Sequence, residues 1–186
     1  MDRFPPLETF GNRIMVCGPS NAGKSTFALA LGAKLGVPHI HLDQLHHLPN
    51  TDWQPRPPEE FAALHEAAIA CDSWVMDGNY TRLFPSRLPR ATGAILLHSN
   101  RFASLARYFR RTLFEHDRAG GLSGNRDSIK WQMIHWILAG APKRQDLMTD
   151  LLRAAPLPLL EIRNMRDLNR LYTEWGLTRV SAGHPQ

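Results

Sequence analysis

This chain of 186 residues has few of the features that mark exported or membrane proteins. Its only two cysteines, Cys17 and Cys71, lie far apart in the sequence and are predicted to be small, reduced core residues instead of a disulfide. No apolar run approaches the ~20 residues that a membrane-spanning helix needs. The first residues contain no hydrophobic signal core. These absences predict a cytoplasmic protein.

Motifs of the common nucleic-acid-binding and zinc-binding modules are also absent. We find no zinc finger, no topoisomerase tyrosine motif and no helix-turn-helix pattern. Four histidines (His39, His41, His46 and His47) lie close together, but no cysteine joins them and their spacing is not that of a zinc site. We therefore do not expect them to bind a metal. His39 and His41 alternate along a predicted strand, one face of which could belong to the core.

What the chain does contain is a phosphate-binding sequence, because residues 18–26 match the P-loop pattern G-x-x-x-x-G-K-[ST]. Gly18 and Gly23 let the backbone approach a phosphate closely. Lys24 supplies a positive charge, and Ser25 supplies a hydroxyl ligand for Mg²⁺. Backbone N–H groups of the loop and of the N-terminus of the next helix offer further hydrogen bonds to the phosphates of a nucleotide such as ATP. The predicted nucleotide-binding residues are Gly18, Pro19, Ser20, Asn21, Ala22, Gly23, Lys24, Ser25 and Thr26.

The segments around the motif predict an α/β fold with a mainly parallel five-stranded sheet. An apolar strand precedes the P-loop at 13–17, and a helix follows it from Lys24 to Leu35 and ends before Gly36. The other predicted strands are 37–43, 73–77, 93–98 and 158–162, and the other predicted helices are about 59–71, 101–114, 128–138, 143–154 and 165–175. The length predicts one domain over 13–180, between an N-terminal extension (1–12) and a tail (181–186).

Two carboxylates follow predicted strands and are candidate catalytic or metal-binding groups. Asp77 ends the strand 73–77, where we expect it to hold Mg²⁺ as a Walker B acid does. Asp43 ends the strand 37–43 and either competes for that role or accepts a proton from a substrate hydroxyl as a general base. Ligands of open α/β sheets bind at the carboxyl ends of strands, so both acids should lie beside the P-loop.

Most of the net charge of +5 lies between Asn100 and Lys130, where seven residues are basic and three are acidic. In the predicted helix 101–114, Arg107, Arg110 and Arg111 share one polar arc. We expect them to contact phosphate and to stabilise charge on the transferring group. A nucleic acid is the alternative anionic partner for this basic segment.

The chain resembles the adenylate-kinase-related P-loop family known as DNA topology modulation proteins (FlaR-type) over nearly all of residues 13–165. The resemblance rests on the P-loop, on His-Leu-Asp-Gln-Leu at 41–45, on Trp53 in its proline-rich segment, on Trp-Val-Met-Asp-Gly-Asn-Tyr at 74–80 and on the arginine helix. It implies a three-layer fold with strand order 2-3-1-4-5. It also implies an acceptor-side insert near 44–70 and a helical lid near 112–128.

The Asp-Gly-Asn-Tyr segment also resembles the Asp-Gly-Phe-Pro-Arg stretch of adenylate kinases. By that analogy Asp77 is associated with magnesium and Arg82 binds the acceptor, whereas Asn79 and Tyr80 replace the Pro-Arg expected for a nucleoside monophosphate acceptor. Trp53 lies in the irregular segment 44–58, where its indole could stack on a substrate ring. The sequence therefore predicts a kinase that transfers the γ-phosphoryl group of ATP to a nucleoside, a nucleotide or another small hydroxyl acceptor. The alternatives are an ATP-dependent nucleic-acid-associated regulator and an NTPase without a small acceptor.

Overall fold

The computed structural model describes residues 3–51, 53–99 and 141–179, in which β-strands alternate with α-helices after a 3-10 turn at Leu7–Phe10. The strands of this described part are β1 (Arg13–Cys17), β2 (His39–His41), β3 (Trp74–Asp77), β4 (Gly93–Leu97) and β5 (Leu159–Ile162). Its helices are α1 (Lys24–Leu35), α2 (Leu42–His46), α3 (Pro58–Ile69), α4 (Phe84–Arg87), α5 (Ala141–Ala154) and α6 (Met165–Glu174).

The strands form one parallel sheet in the order β2-β3-β1-β4-β5. The predicted α/β fold and the strand order implied by the family resemblance are therefore confirmed. The register places Asp77 of β3 beside Val16 of β1 on one side and beside His41 of β2 on the other. The P-loop follows β1 directly, so the loop and Asp77 lie at the same end of the sheet.

Helices cover both faces of the sheet, which explains why the central strands are apolar at successive positions. Because side chains alternate along a strand, β1, β3, β4 and β5 each contribute to two separate clusters. One cluster joins the sheet to α1 and α6 through residues such as Val16, Val75, Phe27 and Leu171. The other joins it to α2, α3, α4 and α5 through residues such as Met15, Met76, Leu42, Phe61, Phe84 and Leu152. Leu7 and Phe10 of the N-terminal extension belong to the first cluster.

The bounds of β1 and α1 agree with the sequence prediction, but the prediction around Asp43 was wrong. β2 ends at His41, and Asp43 lies in the first turn of the short helix α2. The predicted irregular segment 44–58 consequently begins with the last residues of this helix. The early end of β2 is explained by Leu42, whose side chain is fully buried. It packs against the loop at Gly78, where an added Cβ would lie 2.8 Å from the Cβ of Leu42.

The two cysteines are both free thiols, but only Cys17 is a core residue. Cys71 is exposed just after α3, so its predicted burial was wrong. None of the helices in the described part of the chain combines the length and the apolar character that crossing a membrane requires. The predicted helices at 101–114 and 128–138 and the predicted lid near 112–128 lie outside the described residues.

Candidate functional site

The P-loop between β1 and α1 has a backbone conformation that its glycines make possible. Gly18 has φ of 143°, and a Cβ added there would overlap the backbone carbonyl oxygen of Leu97. Gly23 caps α1 in the left-handed conformation, with φ of 90°. Asn21 is also left-handed, with φ of 61°. The Lys24 ammonium group donates a hydrogen bond to the Pro19 carbonyl at 2.8 Å. The side chain of the predicted phosphate-binding lysine therefore folds back across the P-loop.

The two predicted magnesium ligands meet at the end of the sheet. The Ser25 hydroxyl, at the start of α1, donates a hydrogen bond of 2.7 Å to Oδ2 of Asp77, at the end of β3. These residues are 52 positions apart in sequence. Mg²⁺ is bound by oxygen ligands, so a hydroxyl and a carboxylate at this separation fit the ion that accompanies a nucleoside triphosphate.

The other oxygen of Asp77 contacts two histidines of β2. Oδ1 lies 2.6 Å from Nδ1 of His41 and 3.2 Å from Nε2 of His39. Both histidines point from the same face of β2, since they are two residues apart. No short sequence spacing relates them to Asp77, because the pairing of β2 with β3 brings these residues together.

These contacts set the charge state of Asp77, whose side chain has no exposed surface. Burial by itself would raise the pKa of this carboxyl group. Hydrogen bonds from His39, His41 and Ser25, together with the electrostatic effect of His41, instead hold the pKa well below its usual range. Asp77 is therefore a carboxylate at neutral pH, as a metal-binding acid must be.

The loop after β3 connects Asp77 with the first residue of the P-loop. The backbone N–H of Gly18 donates to Oδ1 of Asn79 at 3.1 Å, and Nδ2 of Asn79 donates to the Gly18 carbonyl at 2.9 Å. Arg87 of α4 donates in turn to the carbonyls of Gly78 and Asn79, at 3.3 and 2.7 Å. Burial lowers the pKa of the Arg87 guanidinium to about 10, so the group stays charged at neutral pH.

Asp43 lies next to this loop and is held by Tyr80. The Tyr80 hydroxyl donates a hydrogen bond of 2.7 Å to Oδ1 of Asp43, whose side chain is 45% exposed. Burial and the adjacent carboxylate both raise the pKa of Tyr80, so the phenol keeps its proton. Nε2 of His41 lies 3.9 Å from Oδ2 of Asp43. The His41 ring therefore stands between the carboxylate beside the P-loop and a second, solvent-accessible carboxylate.

Aromatic rings pack against Tyr80, the residue that holds Asp43. Tyr80 packs against His46 and Phe61 with ring centroids 5.0 Å apart in each case. Trp53 makes an edge contact with His47 at 5.3 Å. The exposed side chain of Arg82 lies over the Phe61 ring at 5.4 Å. Trp53 and Tyr80 both have positive φ, 58° and 30°, which is a strained conformation for large side chains and one that is enriched at functional sites.

The structure thus brings together most of the predicted site residues of its described part. Ser25 and Asp77 are in contact, and Asp43 is adjacent to them through His41. Trp53 contacts His47, and Arg82 lies over Phe61, which in turn packs against Tyr80. The predicted Arg107, Arg110 and Arg111 lie outside the described residues. Sequence reasoning missed His39, His41, Asn79 and Tyr80 as partners, although Asn79 and Tyr80 belong to the Asp-Gly-Asn-Tyr segment that carried the resemblance.

Neither a protein-family model nor a curated protein sequence matches this chain. Among solved structures it is similar to the shikimate kinase from Acinetobacter baumannii in complex with shikimate, with 14% identity, a TM-score of 0.51 and coverage of 91% of this chain and 96% of that chain. It is also similar to a gluconokinase from Sinorhizobium meliloti 1021, with 16% identity, a TM-score of 0.46 and coverage of 90% and 93%. The likeness to the shikimate kinase establishes a shared fold, whereas the resemblance to DNA topology modulation proteins is not confirmed.

Proposed function

We propose that this protein is an ATP-dependent and Mg²⁺-dependent kinase of a small molecule that carries a hydroxyl group. The observation that carries the proposal is the pair of carboxylates on either side of His41. Asp77 is buried and contacts the P-loop serine, whereas Asp43 is partly exposed and contacts Tyr80. A kinase needs these two environments, because one acid serves the nucleotide and its metal and the other serves the acceptor.

On the donor side, the P-loop amides and Lys24 bind the phosphates, and Ser25 and Asp77 hold Mg²⁺. When bound there, Mg²⁺ would supply positive charge that stabilises the phosphate groups of the nucleotide. Asn79 keeps Gly18 in place through two hydrogen bonds, so the loop is preorganised for the triphosphate. Arg107, Arg110 and Arg111 lie outside the described residues and stay predicted to contact the transferring phosphoryl group.

On the acceptor side, Asp43 accepts the proton of the substrate hydroxyl. The hydroxyl oxygen then forms a bond to the γ-phosphorus while the bond from this phosphorus to the β–γ bridging oxygen breaks, and ADP leaves. Tyr80 orients Asp43 by donating to Oδ1. The rings of Trp53 and its neighbours offer apolar contact to a substrate ring, and Arg82 offers a positive charge to an anionic substituent.

A metabolite screen tests this proposal. ADP release should rise sharply with one class among nucleosides, nucleotides and sugars. Asp43→Asn should lower turnover with that acceptor by about 10²–10⁴-fold while nucleotide binding is retained, which is the range for loss of a general base. Asp77→Asn should abolish the Mg²⁺-dependent turnover, and the exposed Asp72→Asn is the matched control that should change neither property.

ADP release that is flat across these hydroxyl compounds but rises with DNA would contradict the proposal and favour the nucleic-acid-associated regulator. Turnover that is unchanged in Asp77→Asn would contradict the assignment of the metal-binding acid. Circular dichroism spectra and thermal melting of each variant separate a loss of chemistry from a loss of fold.

A further inference from the structure

Three potential metal ligands come together at Oδ1 of Asp77, the carboxylate oxygen that does not contact Ser25. They are Nε2 of His39, Nδ1 of His41 and a carboxylate oxygen of Asp77, and all three atoms lie within 4.8 Å of one another. In the described part of the chain, no other group of three or more His, Cys, Asp and Glu side chains comes together in this way. Binding of a nucleotide and its Mg²⁺ does not by itself explain why two histidines join Asp77 here.

The backbone explains why the three atoms converge. His39 and His41 are two residues apart on β2, so both side chains leave the same face of the sheet. The parallel pairing places His41 directly beside Asp77 and His39 beside Val75. The two imidazole rings are stacked, with centroids 6.2 Å apart and planes inclined by 30°. A rigid sheet thus presents both rings to one carboxylate, which is a preorganised arrangement.

The distances are close to those that a small metal ion requires. Tetrahedral zinc has bonds of about 2.0–2.2 Å to imidazole nitrogen and carboxylate oxygen, which places its ligand atoms ~3.3 Å apart. The distance from Oδ1 to His39 is already 3.2 Å, and that to His41 is 2.6 Å. A shift of Nδ1 of His41 by about 0.7 Å, through rotation of its ring, would therefore bring both oxygen–nitrogen distances close to the ~3.3 Å between two ligand atoms of zinc.

The kinds of atom indicate which metal this side of Asp77 prefers. Mg²⁺ and Ca²⁺ take oxygen ligands, whereas imidazole nitrogen suits zinc, cobalt, nickel and copper. Two imidazoles and one carboxylate form the ligand set of several zinc sites that leave a fourth position for water or substrate. A carboxylate offers two oxygens, so a metal bound at Oδ1 leaves the contact between Oδ2 and Ser25 in place.

We propose that His39, His41 and Asp77 form a binding site for a divalent transition-metal ion of the zinc type. This site shares Asp77 with the magnesium position at Ser25 but adds two histidine ligands at the other carboxylate oxygen, and it forms without a nucleotide. The proposal goes beyond the kinase function and does not require it.

The test uses untagged full-length protein that has been treated with a chelator and then dialysed. Zn²⁺ alone should bind with one equivalent per chain in isothermal titration calorimetry, in the low micromolar range or tighter, and excess Mg²⁺ should not displace it. Co²⁺ should give the intense visible ligand-field bands of a four-coordinate site. The double variant His39→Ala, His41→Ala should weaken zinc binding by more than about 100-fold, beyond the 10–100-fold that loss of an outer-shell partner costs.

His98→Ala is the matched control. This histidine is hydrogen-bonded to Glu161 at 2.9 Å and does not belong to the three-ligand group, so its loss should not change the zinc titration. A measurement on the unaltered protein keeps the test valid if the double variant fails to fold. Zinc should shift the imidazole nitrogen NMR signals of His39 and His41, and it should leave that of His98 unchanged.

Absence of zinc binding, or zinc binding of equal strength in the double variant, would overturn the proposal. Calorimetry with ADP and Mg²⁺ on the same samples separates this outcome from failure of the kinase proposal. Nucleotide binding without zinc binding contradicts only the transition-metal site, and zinc binding without nucleotide binding contradicts only the kinase.

Discussion

Lowering the pH from 7 to 4 should destabilise this protein through His65, a histidine of α3 with no exposed surface. Neither of its ring nitrogens has a hydrogen-bond partner in the described part of the chain, and the Glu66 carboxylate lies 3.7 Å from Nδ1. Burial lowers the pKa of His65 from its ordinary value of 6.5 to about 4, and the nearby positive charge of Arg87 acts in the same direction. The folded protein therefore needs His65 to be neutral.

The sign and size of the effect follow from the difference between the two states. In the unfolded chain His65 takes up a proton as the pH falls through 6.5, whereas in the folded protein it resists protonation until about pH 4. The stability that the folded protein has while His65 is neutral is therefore fully present above pH 6.5 and is lost progressively as the pH falls toward 4. One proton corresponds to a slope of at most ~1.4 kcal/mol per pH unit, so the total loss in the free energy of unfolding is at most about 3 kcal/mol.

The assay is urea denaturation followed by far-UV circular dichroism at a series of pH values from 7.5 to about 4.5, on the wild type and on His65→Leu. Leucine is similar in size to histidine and has no titrating group. The loss of stability over this range should therefore be smaller in His65→Leu than in the wild type, by up to about 2 kcal/mol. His98→Gln removes a half-buried histidine elsewhere and should not reduce the pH dependence in this way. Identical slopes for the wild type and His65→Leu would refute the reasoning.

Two further substitutions test the contacts of the loop after β3. Asn79→Ala removes both hydrogen bonds to Gly18, each contributing about 0.5–1.5 kcal/mol, and should weaken ADP binding by roughly 5–100-fold in calorimetry. Unchanged ADP affinity would show that Asn79 does not organise the P-loop. Tyr80→Phe removes the hydrogen bond to Asp43 and should lower kcat with the identified acceptor about 5-fold, without altering ADP affinity. An equal loss of both properties would assign Tyr80 to the fold instead of to Asp43.

Much of the donor side could be predicted because its signals are local in sequence. The P-loop motif, the apolar strand before it and the alanine-rich helix after it occupy one continuous segment, and β1 and α1 have the predicted bounds. Asp77 was predicted because it ends an apolar strand in a chain with a P-loop. Its contact with Ser25 then follows from parallel strands whose carboxyl ends share one edge of the sheet.

The surroundings of Asp43 show where local signals fail. The alternation His-Ile-His-Leu-Asp predicts a strand that continues through Asp43, but burial of Leu42 against the loop at Gly78 turns the chain into α2 after His41. Propensity is weak over five residues, so the packing of one leucine decides the element.

The partners of the site acids depend on the tertiary structure for the same reason. The bonds from His39 and His41 to Asp77 span 38 and 36 residues, and that from Tyr80 to Asp43 spans 37. Sequence periodicity does not show which residues of two strands lie side by side when the strands are this far apart in sequence.

By itself the sequence determined the α/β class, the place of the P-loop motif between β1 and α1 and the acid that ends β3, because each depends on a short run of residue types. Only the tertiary structure decided that two histidines contact Asp77, that Asn79 holds the start of the P-loop and that Tyr80 holds Asp43. Each of these contacts requires the register between β2 and β3 or the path of the loop at 78–80. Both are set by burial of the whole core and not by the residues that make the contacts.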